Sequence, residues 1–117
     1  MMSNSEELIE QYVLHAQEHG KSTLTGDFKT TNKHHDELLK ILDELLNLGG
    51  EGNKLLLSLL QHENESVSLW AASHTLKIDE EQAKAKLKEV MQSDSFFNFD
   101  AEMVLQEWDA GNLTATS

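Results

Sequence analysis

The chain has 117 residues with no cysteine and no proline, and 21 carboxylates against nine cationic side chains, all of them lysine, leave a formal net charge of -12. That length suits one domain with a real core. The missing cysteines exclude a disulfide framework, a thiol nucleophile and a Cys-based zinc site, and the shortage of lysine and absence of arginine argue against a phosphate-backbone partner.

A composition led by Leu, Ala, Glu and Lys, with only six glycines, points to helices rather than to a sandwich or barrel. The start, Met1-Met2-Ser3-Asn4-Ser5-Glu6-Glu7, has neither the basic region nor the apolar core of a secretory signal, and no apolar run approaches bilayer length. A cytoplasmic, non-membrane protein is therefore expected.

The first helix is expected to open at Ser3 or Ser5, where Ser3 and Glu6 have capping-box spacing, and to stop at Gly20. Leu8, Ile9, Tyr12, Val13 and Ala16 form its apolar stripe. Lys21 to Gly26 reads as a polar linker. A long second helix follows from about Asp27 to Asn47, with Phe28, His35, Leu38, Leu39, Leu42, Leu45 and Leu46 inward, and Gly49-Gly50 ends it. The third, about Gly52 to Gln61, is leucine-rich nearly all round, which predicts burial.

Ser66 is expected to cap a fourth helix whose small Ala71 and Ala72 allow close approach by the third, in an antiparallel hairpin. Asp79 with Gln82 opens a fifth helix running through about Gln92, with Ala83, Leu87, Val90 and Met91 inward. Phe96, Phe97 and Phe99 are expected to plug the end of the core. Asp100 is then expected to cap a last helix, Ala101 to Asp109, closed by Gly111. The expected architecture is all-α, about six helices in three antiparallel pairs, forming one domain over residues 1–111 with a loose tail at 112–117.

The run Leu56-x-x-Leu59-Leu60-x-His62-x-Asn64-x-x-Val67-x-x-x-Ala71-Ala72-x-x-x-Leu76 resembles a HEAT repeat, with leucines lining one helix and a Val plus an Ala pair lining the next. Ser68 stands where HEAT units usually carry arginine, so the ion-pair ladder of long arrays is not expected. More widely, Tyr12-x-x-x-Ala16-x-x-x-Gly20, Thr23-x-x-Gly26-Asp27, Asn32 and Asp100-Ala101-Glu102-Met103-x-Leu105-x-Glu107-Trp108-x-x-Gly111 resemble a bacterial domain-of-unknown-function family of small HEAT-like helical-repeat proteins. The resemblance implies a HEAT-like superhelix, no established catalytic residues, and relatives among candidate immunity proteins of toxin systems.

Several constellations imitate chemistry. His15-Ala16-Gln17-Glu18-His19 matches the H-x-x-E-H pattern of inverted zinc proteases, since two histidines at i and i+4 share a helix face. No second helix offers an obvious glutamate ligand, and histidines in a last turn before Gly20 would favour the negative helix end, so the structural reading is preferred. Gly20-Lys21-Ser22-Thr23 imitates the end of a phosphate loop, but position 15 is histidine rather than glycine and a helix precedes it. His34 and His35 beside Asp36 and Glu37 have nothing to orient them as an acid-base pair.

No catalytic, cofactor or metal-ligating residues are therefore expected. The expected function is that of an immunity-type protein that binds and neutralises a basic toxin, possibly a nuclease, through an acidic surface; a general HEAT-like adaptor or scaffold is the alternative. Second helices of solenoid pairs tend to line the binding side. The expected partner-binding residues are accordingly Asp36, Glu37, Asp43, Glu44, Glu63, Glu65, Glu102 and Glu107, with Trp70 and His74 as an anchor at a groove rim.

Overall fold

The computed structural model describes residues 4–111, and among them the chain forms six α-helices and one short 3-10 turn with no strand. The helices are α1 (Asn4–Thr25), α2 (Phe28–Asn47), α3 (Gly50–Ser58), α4 (Glu65–His74), α5 (Glu80–Met91) and α6 (Asn98–Asp109), and the 3-10 turn Leu59–Gln61 follows α3 directly. The expected all-helical class is what the chain adopts. Contacts divide it into two compact units that meet in sequence at Leu56 and Leu57.

In the first unit α1 packs along α2. Ser22 Oγ meets Thr31 Oγ1 at 2.6 Å near the turn, and His15 Nδ1 meets His34 Nδ1 at 2.8 Å farther from it, so the two helices run antiparallel. Leu8, Tyr12 and Ala16 from α1 and Leu38, Ile41, Leu42 and Leu45 from α2 are buried, as is Leu56 of α3. Burial also pushes the Tyr12 phenol well above its ordinary pKa.

Gly20 does not stop α1. It lies buried within the helix, which continues to Thr25 while the Ser22 and Thr23 hydroxyls donate to the His19 carbonyl. A glycine inside a helix costs about 1 kcal/mol, whereas each large apolar side chain buried along the hairpin contributes about 1.5–3 kcal/mol. Packing therefore carries the helix through it. The true stop is Gly26, whose φ of 77° is left-handed, and Asp27 immediately caps α2 by accepting from the Thr30 backbone N–H.

Gly49, at φ 67°, makes the corresponding turn after α2. Glycine at position 52 then lets the start of α3 cross the end of α2 at close range: a Cβ there would stand 1.8 Å from the Leu45 carbonyl oxygen. Ser5 Oγ donates to Glu51 Oε1 at 2.8 Å, tying the start of α1 to the first turn of α3. The expected Ser3 capping contact lies outside the described residues.

In the second unit α4 packs against the 3-10 turn and against α5, and α5 packs against α6. Asn64, not Ser66, caps α4: its Oδ1 accepts from the Val67 N–H, while Ser66 is buried inside the helix. Asp79 caps α5 as expected, accepting from the Gln82 N–H and from the Gln82 side-chain amide at 2.7 Å. Lys84 reaches Glu80 at 3.2 Å and Asp109 at 3.0 Å, so α6 returns antiparallel to α5, and both carboxylates raise the lysine's pKa. Leu56, Leu59, Leu60, Val67, Ala71, Ala72 and Leu76, the apolar positions of the HEAT-like run, are all buried. No buried side-chain nitrogen or oxygen among the described residues lacks a hydrogen-bond partner.

Two expectations about aromatic residues fail. Phe28 is 72% exposed, because it lies in the first turn of α2, about a quarter turn from the centre of the Leu38–Leu42–Leu45 line. Phe96 and Phe99 do not plug the core but are 62% and 64% exposed. Helix α6 begins at Asn98 rather than Ala101, with no side-chain cap, so Asp100 sits inside its first turn, where a carboxylate suits the positive helix end.

Candidate protein-binding surface

The ten residues expected to bind a partner fall into three groups. On α2, Asp36, Asp43 and Glu44 are exposed and Glu37 is half-buried. Lys40 reaches Glu37 at 3.5 Å, and His35 Nδ1 stands 3.9 Å from Asp36. At 100° per residue, Lys29, Lys33 and Lys40 fall on the same outer face as Asp36 and Asp43. Three cations interleaved with the carboxylates leave this face close to balance, so α2 is not the negative flank that its carboxylates alone suggest.

On and before α4, Glu63 and Glu65 are exposed and outside every ion pair among the described residues. Glu65 occupies the first turn of α4, where it complements the helix dipole. The rest of that helix offers little surface, since Ser66, Val67, Ser68, Leu69, Ala71, Ala72 and His74 are buried. His74, at 3% exposure, is no rim anchor: its ring lies 5.2 Å from the half-exposed Trp70 ring, beneath the surface. Helix α4 is a core helix rather than a binding face.

The surplus charge collects on α6 and the segment before it. Residues 92–111 hold Asp94, Asp100, Glu102, Glu107 and Asp109 and no lysine. Among the described residues Asp109 alone of these has a lysine partner, Lys84 from α5, while Glu102 accepts from Gln106 at 3.4 Å. The Asp100 carboxyl is partly withdrawn from water although the residue as a whole is exposed, and that desolvation raises its pKa. On the first helix, Glu7, Glu10, Gln11 and the exposed Leu14 line a shallow depression that forms a lesser acidic surface.

The histidines that imitate metal and acid-base motifs in the sequence gather on the first hairpin. Since α1 extends to Thr25, His15 and His19 lie mid-helix, and the expected favourable contact with a helix C-terminus does not exist. They face α2 instead. His15 is hydrogen-bonded to His34, and the His19 ring centroid lies 6.3 Å from that of His35. Desolvation first, then the neighbouring histidines, lower the pKa of His15 and bring that of His19 to about 4; Lys33 acts in the same direction on His15, and Glu37 opposes it. No three His, Asp or Glu side chains are grouped as a metal-holding set among the described residues. The Gly20–Thr23 segment is helical, with Ser22 bonded to His19 and Thr31.

Paired helices with exposed carboxylates, and among the described residues no helix long and apolar enough to cross a membrane, define an all-α module of the helical-repeat kind. Residues 6–109 match the family described as a domain of unknown function, DUF2019, and the chain belongs to that family. It is also similar to the protein RPA1889 from Rhodopseudomonas palustris CGA009, known from a crystal structure: 26% identity over 97% of this chain and 94% of that one, with a TM-score of 0.87. No curated protein matches the chain.

Proposed function

We propose that the protein acts by binding a basic protein partner, in the manner of an immunity protein that neutralises a toxin by covering its positively charged active site or substrate groove. The observation that carries this reading is the run of carboxylates in residues 92–111 with no lysine among them. Electrostatic complementarity of this kind steers encounter and rejects acidic competitors. Glu102 and Glu107 belong to this surface; Glu63 and Glu65, exposed and outside every ion pair among the described residues, add to the negative field of the same unit.

Growth rescue tests it. Co-expression of the chain with a basic toxin domain encoded beside its gene is expected to restore growth. A variant carrying Asp94→Asn, Asp100→Asn, Glu102→Gln and Glu107→Gln is expected to lose most of that protection while remaining folded, because these side chains lie outside the core. Protection that survives all four changes, or no protection by the wild type, contradicts the reading.

A further inference from the structure

We infer that the outward stripe of α6, formed by Phe99 and Met103 with Phe96 just before the helix, is the docking surface for a basic amphipathic helix of a partner protein. The inference rests on the partner-binding reading above and adds where the partner sits and what shape it has. Helix α6 is apolar on two opposite sides. Ala101, Leu105 and the half-buried Trp108 form its inner line. At 100° per residue, Phe99 and Met103 lie nearly opposite that line, one turn apart. Phe99 is exposed, as are Phe96 and, at 40%, Met103.

A surface helix of a self-sufficient fold keeps its outer face polar. Large apolar side chains exposed together, rimmed by charge, mark an interaction surface. Here the rim has one sign. On one side of the stripe lie Asp100 and Glu107, on the other Glu102 and, farther round, Asp109. The complement is a helix with apolar residues at i and i+3 or i+4, flanked on both sides by lysine or arginine. Its apolar ridge would seat beside Phe99 and Met103, and its cations would meet carboxylates along both edges. A purely basic loop would satisfy the rim and leave the stripe wet; an apolar partner would strand the carboxylates in a desolvated interface.

The probe is a synthetic helix of about 18 residues, five turns, with leucines on one face and lysines and arginines on the other, and a scrambled peptide of equal composition as control. Fluorescence anisotropy with the full chain is expected to show binding of the amphipathic peptide, at least about tenfold weaker in the Phe99→Ser/Met103→Ser variant and unchanged in Leu14→Ser. The scrambled peptide is expected to bind less tightly. Amide shifts in the wild type are expected to concentrate at residues 96–107, which reads the site without any variant. Undiminished binding by the double variant, or shifts centred elsewhere, overturns the docking site while leaving a basic partner intact. Equal affinity for both peptides overturns the helix assignment. Concentration-dependent self-association that the double variant abolishes, with no peptide binding, assigns the stripe to a second copy and also overturns the inference. Failure of the partner-binding reading itself would appear differently, as loss of every salt-sensitive interaction with basic proteins.

Discussion

Gly52→Ala is expected to destabilise the protein by roughly 2–4 kcal/mol, although alanine is the better helix former by about 1 kcal/mol. The added methyl would stand 1.8 Å from the Leu45 carbonyl oxygen and 2.8 Å from the Leu45 carbonyl carbon. Both are backbone atoms, so no side chain can swing aside. Either α3 lifts away from the end of α2, exposing part of the contact made there, or the last turn of α2 distorts. The neighbouring glycines supply the controls. At Gly50, in the same helix, an added methyl would meet nothing within 4 Å and φ is not positive, so Gly50→Ala is expected to be neutral or stabilising by about 0.4–1 kcal/mol. Gly49, at φ 67°, has space but a left-handed backbone, and alanine there is expected to cost about 1 kcal/mol. Urea unfolding of the three variants orders them. A Gly52→Ala midpoint equal to that of the wild type would contradict the close crossing of α2 and α3.

Stability is expected to fall as pH drops from about 6.5 towards 4, and His19→Gln is expected to remove much of that fall. The folded chain holds His19 at about 4, against an ordinary 6.5. Between those values the unfolded state binds the extra proton and the folded state does not, so acidification favours unfolding. The gap corresponds to on the order of 3 kcal/mol, which screening around the half-exposed ring reduces to roughly 1–2 kcal/mol. His15, whose pKa is lowered by desolvation and by its neighbour His34, works in the same direction. Carboxylates in the overall acidic chain act oppositely once they begin to neutralise, since self-repulsion then eases. The diagnostic is therefore the difference between wild-type and His19→Gln melting profiles from pH 7.5 to 5. Parallel profiles would show that His19 is not held neutral by the hairpin.

The helical class is legible in the sequence because composition, periodicity and caps agree. The Asp79–Gln82 pair opens α5 where its spacing says it should, and the inward lines of α2 and α5 are the buried ones, Leu38, Leu42 and Leu45, then Ala83, Leu87 and Val90. Expectation and structure part where a residue type has two uses. Gly20 and Gly26 are six residues apart and either could end a helix; the stop is Gly26, the one with a left-handed backbone. The stronger signal is Asp27 with Thr30, a cap that leaves almost no room for a linker. Hydrophobicity alone puts Phe96 and Phe99 in the core, but moving the start of α6 back to Asn98 rotates Phe99 to the side opposite Ala101 and Leu105.

The candidate surface is legible in its sign and less so in its place. Net charge gives the sign of the surface and no more. Counting carboxylates without the lysines between them overvalues α2, where Lys29, Lys33 and Lys40 share the outer face with Asp36 and Asp43. Assigning a binding side to α4 by analogy with solenoids overvalues it for a different reason, because its Ala pair, Ser66, Ser68 and His74 are buried. The signal that deserves more weight is the last stretch, where five carboxylates and no lysine accompany Phe96, Phe99 and Met103.

Stopped-flow association with the basic protein partner proposed above, followed from about 0.02 to about 0.5 M salt, is the most direct test of that proposal. An encounter steered by these carboxylates slows by roughly tenfold or more across that range, while dissociation changes far less. A rate that stays level as the salt rises would contradict an acidic recognition surface on this protein.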